Sequence, residues 1–126
     1  MCFRYLMNSL TIGFLLLFFS SVSFGDDFNN QLSLGSSHTC FLKNDNVICW
    51  GDNRYGQSTP PSLSNPRLIS VYSKTSCALD DTGVVCWGAR AEELNARNWG
   101  NPSQLDMNWA GECVINFDGV TCWDNQ

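Results

Sequence analysis

Six cysteines recur as three pairs, Cys40 with Cys49, Cys77 with Cys86 and Cys113 with Cys122, each enclosing eight residues and each followed directly by Trp50, Trp87 or Trp123. Thiols in such a pattern either ligate zinc or bridge as disulfides. Structural zinc favours ligand pairs roughly two to four residues apart, whereas eight intervening residues suit opposite strands of a hairpin. Six thiols admit fifteen connectivities in principle, and the repeat is what favours bridging within each pair. His38 is the single histidine. General-base or nucleophilic chemistry would need a nucleophile and an orienting acid around it, and the other two units have no His at its position. The acidic doublets Asp26-Asp27, Asp80-Asp81 and Glu92-Glu93 lack the alternating ligand spacing of a calcium loop and are read as solvated turns. No phosphate loop, dinucleotide fingerprint or nucleophile elbow is present. No catalytic residue, cofactor or metal site is therefore expected.

The tryptophans divide by periodicity. Trp50, Trp87 and Trp123 recur with the cysteines and are expected to pack between units. Trp99 and Trp109 do not recur. With Tyr55, Tyr72 and Arg54 they are candidates for an exposed recognition patch, since Trp, Tyr and Arg are enriched where interfaces concentrate binding energy. The alternative is irregular filling of a degenerate repeat.

These residues sit in elements with a clear period. The cysteine pairs are offset by 37 and then 36 residues, and the units LSLGSSHTCFLKNDNVICWG, ISVYSKTSCALDDTGVVCWG and LDMNWAGECVINFDGVTCWD begin at Leu32, Ile69 and Leu105. Each opens on an apolar-polar alternation, the period of a half-buried strand. Two further apolar patches end at Leu42, Leu79 or Ile115 and resume at Val47, Val84 or Val120, leaving four residues between them. The last of those four is Asn46, Gly83 or Gly119, a type that tolerates positive φ, which is hairpin chemistry. Equal strands about such a turn place Cys40 opposite Cys49, Cys77 opposite Cys86 and Cys113 opposite Cys122, where a disulfide spans the hairpin. Period-2 alternation then puts Cys40, Leu42, Val47 and Cys49 on one hairpin face, with Phe41, Ile48 and Trp50 on the other. Both faces are partly apolar, so neighbouring units must stack. Between units, Gly51 to Pro66 and Gly88 to Pro102 carry loop signals, with a helical turn or two within Ala89 to Ala96.

The first 25 of the 126 residues differ in kind. They hold one cation, Arg4, an apolar stretch from Leu10 to Phe19, and small residues Ser23 and Gly25 before Asp26, which together read as a secretory signal peptide. The stretch is about half the roughly 20 residues that a membrane span needs, so no stable anchor is expected after cleavage. Cys2 leaves with the leader, and six cysteines remain for an oxidising compartment, secreted or periplasmic. The remaining 101 residues carry six basic and twelve acidic side chains, a net charge of −6 with no Lys/Arg run. That balance excludes nucleic acid, whose phosphates demand a basic face. Residues 26–31 form a polar lead-in, and the units are bounded as 32–67, 68–103 and 104–126.

The stretch Gly35-Ser36-Ser37-His38-Thr39-Cys40, followed by Val47-Ile48-Cys49-Trp50-Gly51-Asp52-Asn53-Arg54-Tyr55-Gly56-Gln57, resembles the repeat of the regulator of chromosome condensation (RCC1-like) family, whose secreted bacterial branch often places Cys where this chain does. The resemblance extends from Leu32 to Gln126 and weakens along the chain. In the second unit the family's Gly and His positions are Tyr72 and Thr75, and Arg90 replaces the Asn after Trp-Gly. The third has Asn108 and Gly111 at the first two positions, and Asp124 in place of the Gly after Trp123. The family forms seven-bladed β-propellers, and the resemblance implies an all-β fold of RCC1-like blades, three repeats of about three strands each, with His38 as a structural hydrogen-bonding group. Three blades are fewer than the roughly 4 to 8 of a closed propeller. They imply a fragment of a longer propeller, an open stack, or a homo-oligomer whose two copies supply six blades. One secreted propeller type of the family inhibits β-lactamases, so the resemblance favours binding to an extracellular or periplasmic protein. Carbohydrate or cell-envelope binding through Trp and Tyr is the alternative. The family's nuclear nucleotide-exchange role is not carried over, because leader and paired Cys place this chain in another compartment.

Overall fold

The computed structural model describes residues 30–124. The leader, most of the lead-in and the last two residues lie outside the described residues. Nine strands make three separate antiparallel sheets in chain order. Blade 1 is β1 (Gln31–Leu34), β2 (His38–Lys43) and β3 (Asn46–Gly51); blade 2 is β4 (Leu68–Tyr72), β5 (Thr75–Asp80) and β6 (Gly83–Gly88); blade 3 is β7 (Gln104–Met107), β8 (Gly111–Asn116) and β9 (Gly119–Asp124). The one helix among the described residues, α1 (Ala91–Asn95), follows β6. Its Ala-Glu-Glu-Leu run suits a helix, Glu92 and Glu93 oppose the dipole in its first turn, and buried Leu94 anchors it.

The hairpin register is the one that period 2 demands. Cys40 pairs with Cys49, Cys77 with Cys86 and Cys113 with Cys122, and all three are disulfides with Cα atoms 4.1, 4.0 and 4.1 Å apart. The turns are tighter than the four residues that the apolar patches suggest. Lys43 pairs with Asn46, so Asn44 and Asp45 alone reverse the chain, with φ of 48° and 61°. Two consecutive left-handed residues match the twist of the flanking strands, and Asn and Asp tolerate that conformation. Positive φ thus falls there and not on Asn46, while Gly83 (φ 120°) and Gly119 (φ 116°) adopt it as the first residues of their strands. Gln31, assigned above to the lead-in, opens β1. The Gly after each of the first two Cys-Trp pairs has its own reason: at positive φ, a Cβ on Gly51 or Gly88 would collide with the carbonyl of Ser37 or Lys74.

The blades stack front to back. The disulfide face of blade 1, with Cys40 and Leu42, packs on Ile69, Val71, Ala78 and Trp87 at the back of blade 2. The disulfide face of blade 2, with Cys77 and Cys86, packs on Leu105, Met107, Val114 and Trp123 of blade 3, and Leu94 and Trp99 complete that core. Trp87 is accordingly buried, but Trp50, expected to pack in the same way, is 52% exposed. Its face is the back of blade 1, with no blade behind it among the described residues. Asp80 is not a solvated turn residue either. It is buried, accepts the Ser64 N–H at 2.8 Å, and takes the Thr82 N–H and hydroxyl at 2.7 and 2.6 Å, so it ties the inter-blade loop to the hairpin turn. Burial pushes its carboxyl pKa up, and the hydrogen bonds from Thr82, Ser64 and Gly83 together outweigh this and hold it below the ordinary value.

Each disulfide closes a loop of about ten residues and in the chain-entropy account contributes about 2.7 kcal/mol. Replacing Cys113 and Cys122 by Ala, at the open face of blade 3, is expected to lower the unfolding free energy by about that amount in urea titration. The same change at Cys77 and Cys86 should cost more, because that bridge also fills the core and its loss leaves a cavity.

Candidate functional site

The interface between blades 1 and 2 is built around a buried polar relay. Strand β2 carries His38 inward, and its Nε2 lies 2.7 Å from the Ser76 hydroxyl on β5. Ser76 donates onward to the Gln57 carbonyl at 3.0 Å, and the Trp87 indole N–H reaches the same oxygen at 2.9 Å. With the Ser76 hydroxyl donating to Gln57, the imidazole Nε2 is the donor to Ser76. Its Nδ1 is buried without a hydrogen-bond partner among the described residues. Burial lowers the His38 pKa below its ordinary 6.5, against the opposing pull of Asp52 and of the Ser73 backbone. Ser76 is fully buried, and between His38 and Gln57 it clasps blade 1 and its following loop to blade 2. The loop after β3 is knotted to it. Asp52 takes two bonds from Arg54, at 2.8 and 3.0 Å, and one from Gln57 at 3.1 Å, and the Arg54 bonds foremost hold its carboxyl down at about 2.

Blades 2 and 3 meet through charge. Glu112 on β8 occupies the repeat position of Ser76 and is buried. One of its oxygens accepts from Arg90, and the other from Arg97 at 2.9 Å. Both arginines also reach Glu93 on α1, at 2.7 and 3.0 Å. Two cations and two anions balance, which is what lets a carboxylate lie at full burial. The Arg97 guanidinium also stacks on Trp99 and Trp123, 5.2 and 5.0 Å from their centroids.

Beside this network opens a cleft of about 500 Å³. Arg90, Glu93 and Glu112 line it, and Tyr72, Lys74 and Trp109 stand among its walls. Trp109, on the β7–β8 turn, is 80% exposed. Lys74, on the tight β4–β5 turn, lies 4.8 Å from the Tyr55 ring centroid, a cation–π contact that joins the loop after β3 to the same rim. Three of the five aromatic and basic residues singled out above, Tyr55, Tyr72 and Trp109, therefore converge around Lys74. Arg54 neighbours Tyr55 in sequence, but its guanidinium is engaged by Asp52. Trp99 does not belong to the patch: it is only 7% exposed, its indole N–H donates to the Leu94 carbonyl at 3.0 Å, and its ring meets Trp123 edge-on at 5.0 Å. The Leu94 carbonyl has the repeat position of Gln57, so Trp99 makes for blade 3 the bond that Trp87 makes for blade 2. Lys74, Arg90 and Glu112 were missed from sequence. Arg90 in place of the repeat's Asn was the available signal. Among the described residues no cluster of His, Cys, Asp or Glu could hold a metal ion, and no helix is long and apolar enough to cross a membrane.

Residues 30–57, blade 1 with its following loop, match the family model of the regulator of chromosome condensation (RCC1) repeat. Among solved structures, the fold is similar to the CRINKLY WD40 ectodomain of the Arabidopsis thaliana receptor kinase ACR4, with 24% identity and a TM-score of 0.57 over 78% of this chain and 37% of that one. It is similar also to human WBSCR16, with 21% identity and a TM-score of 0.60 over 75% and 32% of the two chains. The ectodomain of the receptor kinase CR4 from Physcomitrella patens gives 20% identity and 0.57 over 75% and 29%. The chain thus spans about a third of the length of each. No curated protein sequence matches it. These likenesses show the fold, propeller-like blades in an open array, and the RCC1-repeat match is to blade 1 and its following loop.

The neutral clasp at His38 makes stability pH-dependent with a defined sign. The folded pKa lies below the unfolded value near 6.5, so the unfolded chain takes up the proton first and stability falls as pH drops from about 6.5 toward the folded pKa. His38→Gln, which keeps a donor for Ser76, is expected to flatten this part of the stability profile in denaturant titrations at stepped pH. An unchanged slope would assign the dependence to other groups.

Proposed function

We propose that this chain is an exported, non-catalytic interaction module that recognises a protein surface through the rim of Tyr55, Lys74, Tyr72 and Trp109. The observation that carries this reading is Trp109, a large aromatic ring left 80% exposed beside a cleft whose buried charges are internally balanced. An exposed Trp between a Tyr and a Lys is the side-chain set from which interface hot spots are built. The ordered floor gives the rim a fixed geometry, so little side-chain entropy is lost on binding. Buried His38 and Ser76 form a closed structural relay, which supports binding over chemistry. Three disulfides need an oxidising compartment to form, and together with the leader of residues 1–25 they support export to the periplasm or the cell exterior.

The test uses the exported full-length chain as bait against envelope and extracellular proteins of its source, with crosslinking to locate the contact. Trp109→Ala with Tyr55→Ala is expected to weaken binding of the captured protein by about tenfold or more, with little shift of the thermal midpoint, since the two rings are 80% and 50% exposed. Equal binding by the double variant would remove the rim from the reading. Retention on a glycan array, lost in the same variant, would move the ligand class to carbohydrate. Export has its own check: N-terminal sequencing of the secreted material should begin Asp26-Asp27-Phe28.

A further inference from the structure

Front-to-back packing is satisfied twice inside the chain, and two faces stay open among the described residues. The back of blade 1 presents Leu32 and Leu34, 59% and 67% exposed, with Ile48 and Trp50. These occupy the repeat positions of Ile69, Val71, Val85 and Trp87. The front of blade 3 presents Ile115 and Val120, both exposed, around a shallow groove of about 260 Å³ that Gln104, Asp106 and Cys113 also line. Each open face is the repeat counterpart of a face that is buried elsewhere in the same molecule.

A polar clamp accompanies the apolar contact. Gln31 accepts the Ile69 N–H at 3.1 Å and donates to the Arg67 carbonyl at 2.8 Å, while the Ser33 hydroxyl accepts the Val71 N–H at 2.9 Å. Blade 2 repeats the second half of this grip, with Ser70 accepting the Met107 N–H at 3.0 Å. Blade 3 holds Gln104 and Asp106 at the positions of Gln31 and Ser33, both exposed. The groups that such a clamp would take are on blade 1. Leu32 pairs with Phe41 and Leu34 with Thr39, as Ile69 pairs with Ala78 and Val71 with Ser76, so the Leu32 and Leu34 N–H groups point off the outer edge of β1.

We propose that the chain docks head to tail on a second copy of itself, with the front of blade 3 in one copy against the back of blade 1 in the other. Gln104 and Asp106 hold the Leu32 and Leu34 backbone, while Leu32, Leu34 and Trp50 enter the groove beside Ile115 and Val120. A second copy is the fitting occupant because this chain carries both halves of the contact, in apolar shape and in donors and acceptors alike. The Asp106 carboxylate is a stronger acceptor than the Ser it replaces. Made twice, the contact gives six blades, within the usual range of about 4 to 8, and a heterologous contact that closes makes a ring. The rim of Tyr55, Tyr72 and Trp109 takes no part, so this proposal and the binding function fail independently.

Sedimentation velocity of the full chain at micromolar concentration tests it. The wild type is expected at twice the single-chain mass. Leu34→Asp, which spoils the back of blade 1, and Asp106→Lys with Val120→Asp, which spoils the front of blade 3, are each expected to weaken association by about tenfold or more and to remain folded by circular dichroism, since all three positions are exposed. An equimolar mixture of the two variants should recover a dimer, because each supplies the face that the other has lost. Wild-type protein that stays monomeric overturns the proposal and leaves both faces to further repeats of a longer chain. A mixture of folded variants that does not associate overturns the head-to-tail geometry.

Discussion

A three-stranded blade with apolar side chains on both faces cannot hide them by itself, and the rest of this structure follows from that constraint. The strands are short and the sheets narrow, so no blade can curl over its own faces. Stacking front to back is the arrangement that buries both. The disulfide suits the front of each blade because directly opposed Cys residues on a hairpin bridge without disturbing the register. The sulfur pair then presents a dense apolar ridge to the next blade. Stacking also leaves the outer edges of β4 and β7 with N–H groups that no strand pairs. Ser33 and Ser70 hydroxyls from the preceding blade take them, so a backbone need and a packing need are met by one geometry.

The two internal interfaces share positions and differ in chemistry. At the position of Ser76, which receives the His38 donor, blade 3 has Glu112, which receives two arginines. At Gln57, whose carbonyl takes the Trp87 indole, the next unit has Leu94, whose carbonyl takes Trp99. Departures from the repeat are therefore coupled. A buried carboxylate is tolerable because Arg90 and Arg97 arrive with it, and removing either cation would leave the other partners underpaired in a buried setting. The ionic interface is also the one beside the open cleft, where Trp109 stands.

The strands, the hairpin register and the bridges were legible because they depend on local periodicities: two residues along a strand and 36 or 37 between units. The tryptophans were not legible to the same degree. Trp50 and Trp87 occupy one motif position, yet one is half exposed and the other buried, because burial depends on whether a blade lies behind the residue. Trp99 and Trp109 both fall outside the period. The helix carries Leu94 inward and lets Trp99 follow it onto the Leu94 carbonyl, which also accepts the Arg97 N–H, while Trp109 sits on a tight turn that points it outward. The two-residue turn at Asn44-Asp45 was hidden because hydrophobic patches mark where burial stops and not where pairing stops; Lys43 and Asn46 still pair beyond the last apolar residues.

By itself the amino-acid order determined three β-hairpins, the cysteine partners within them, the need to stack, and the likeness of the first unit to an RCC1 repeat, because spacing along the chain is enough to set which residues face each other across a turn. Which aromatic rings meet solvent, which buried polar group finds a partner, and which faces stay open were decided only when the blades came together. Those properties belong to surfaces contributed by different blades and the segments between them, and one-dimensional spacing carries no information about what lies on the far side of a sheet.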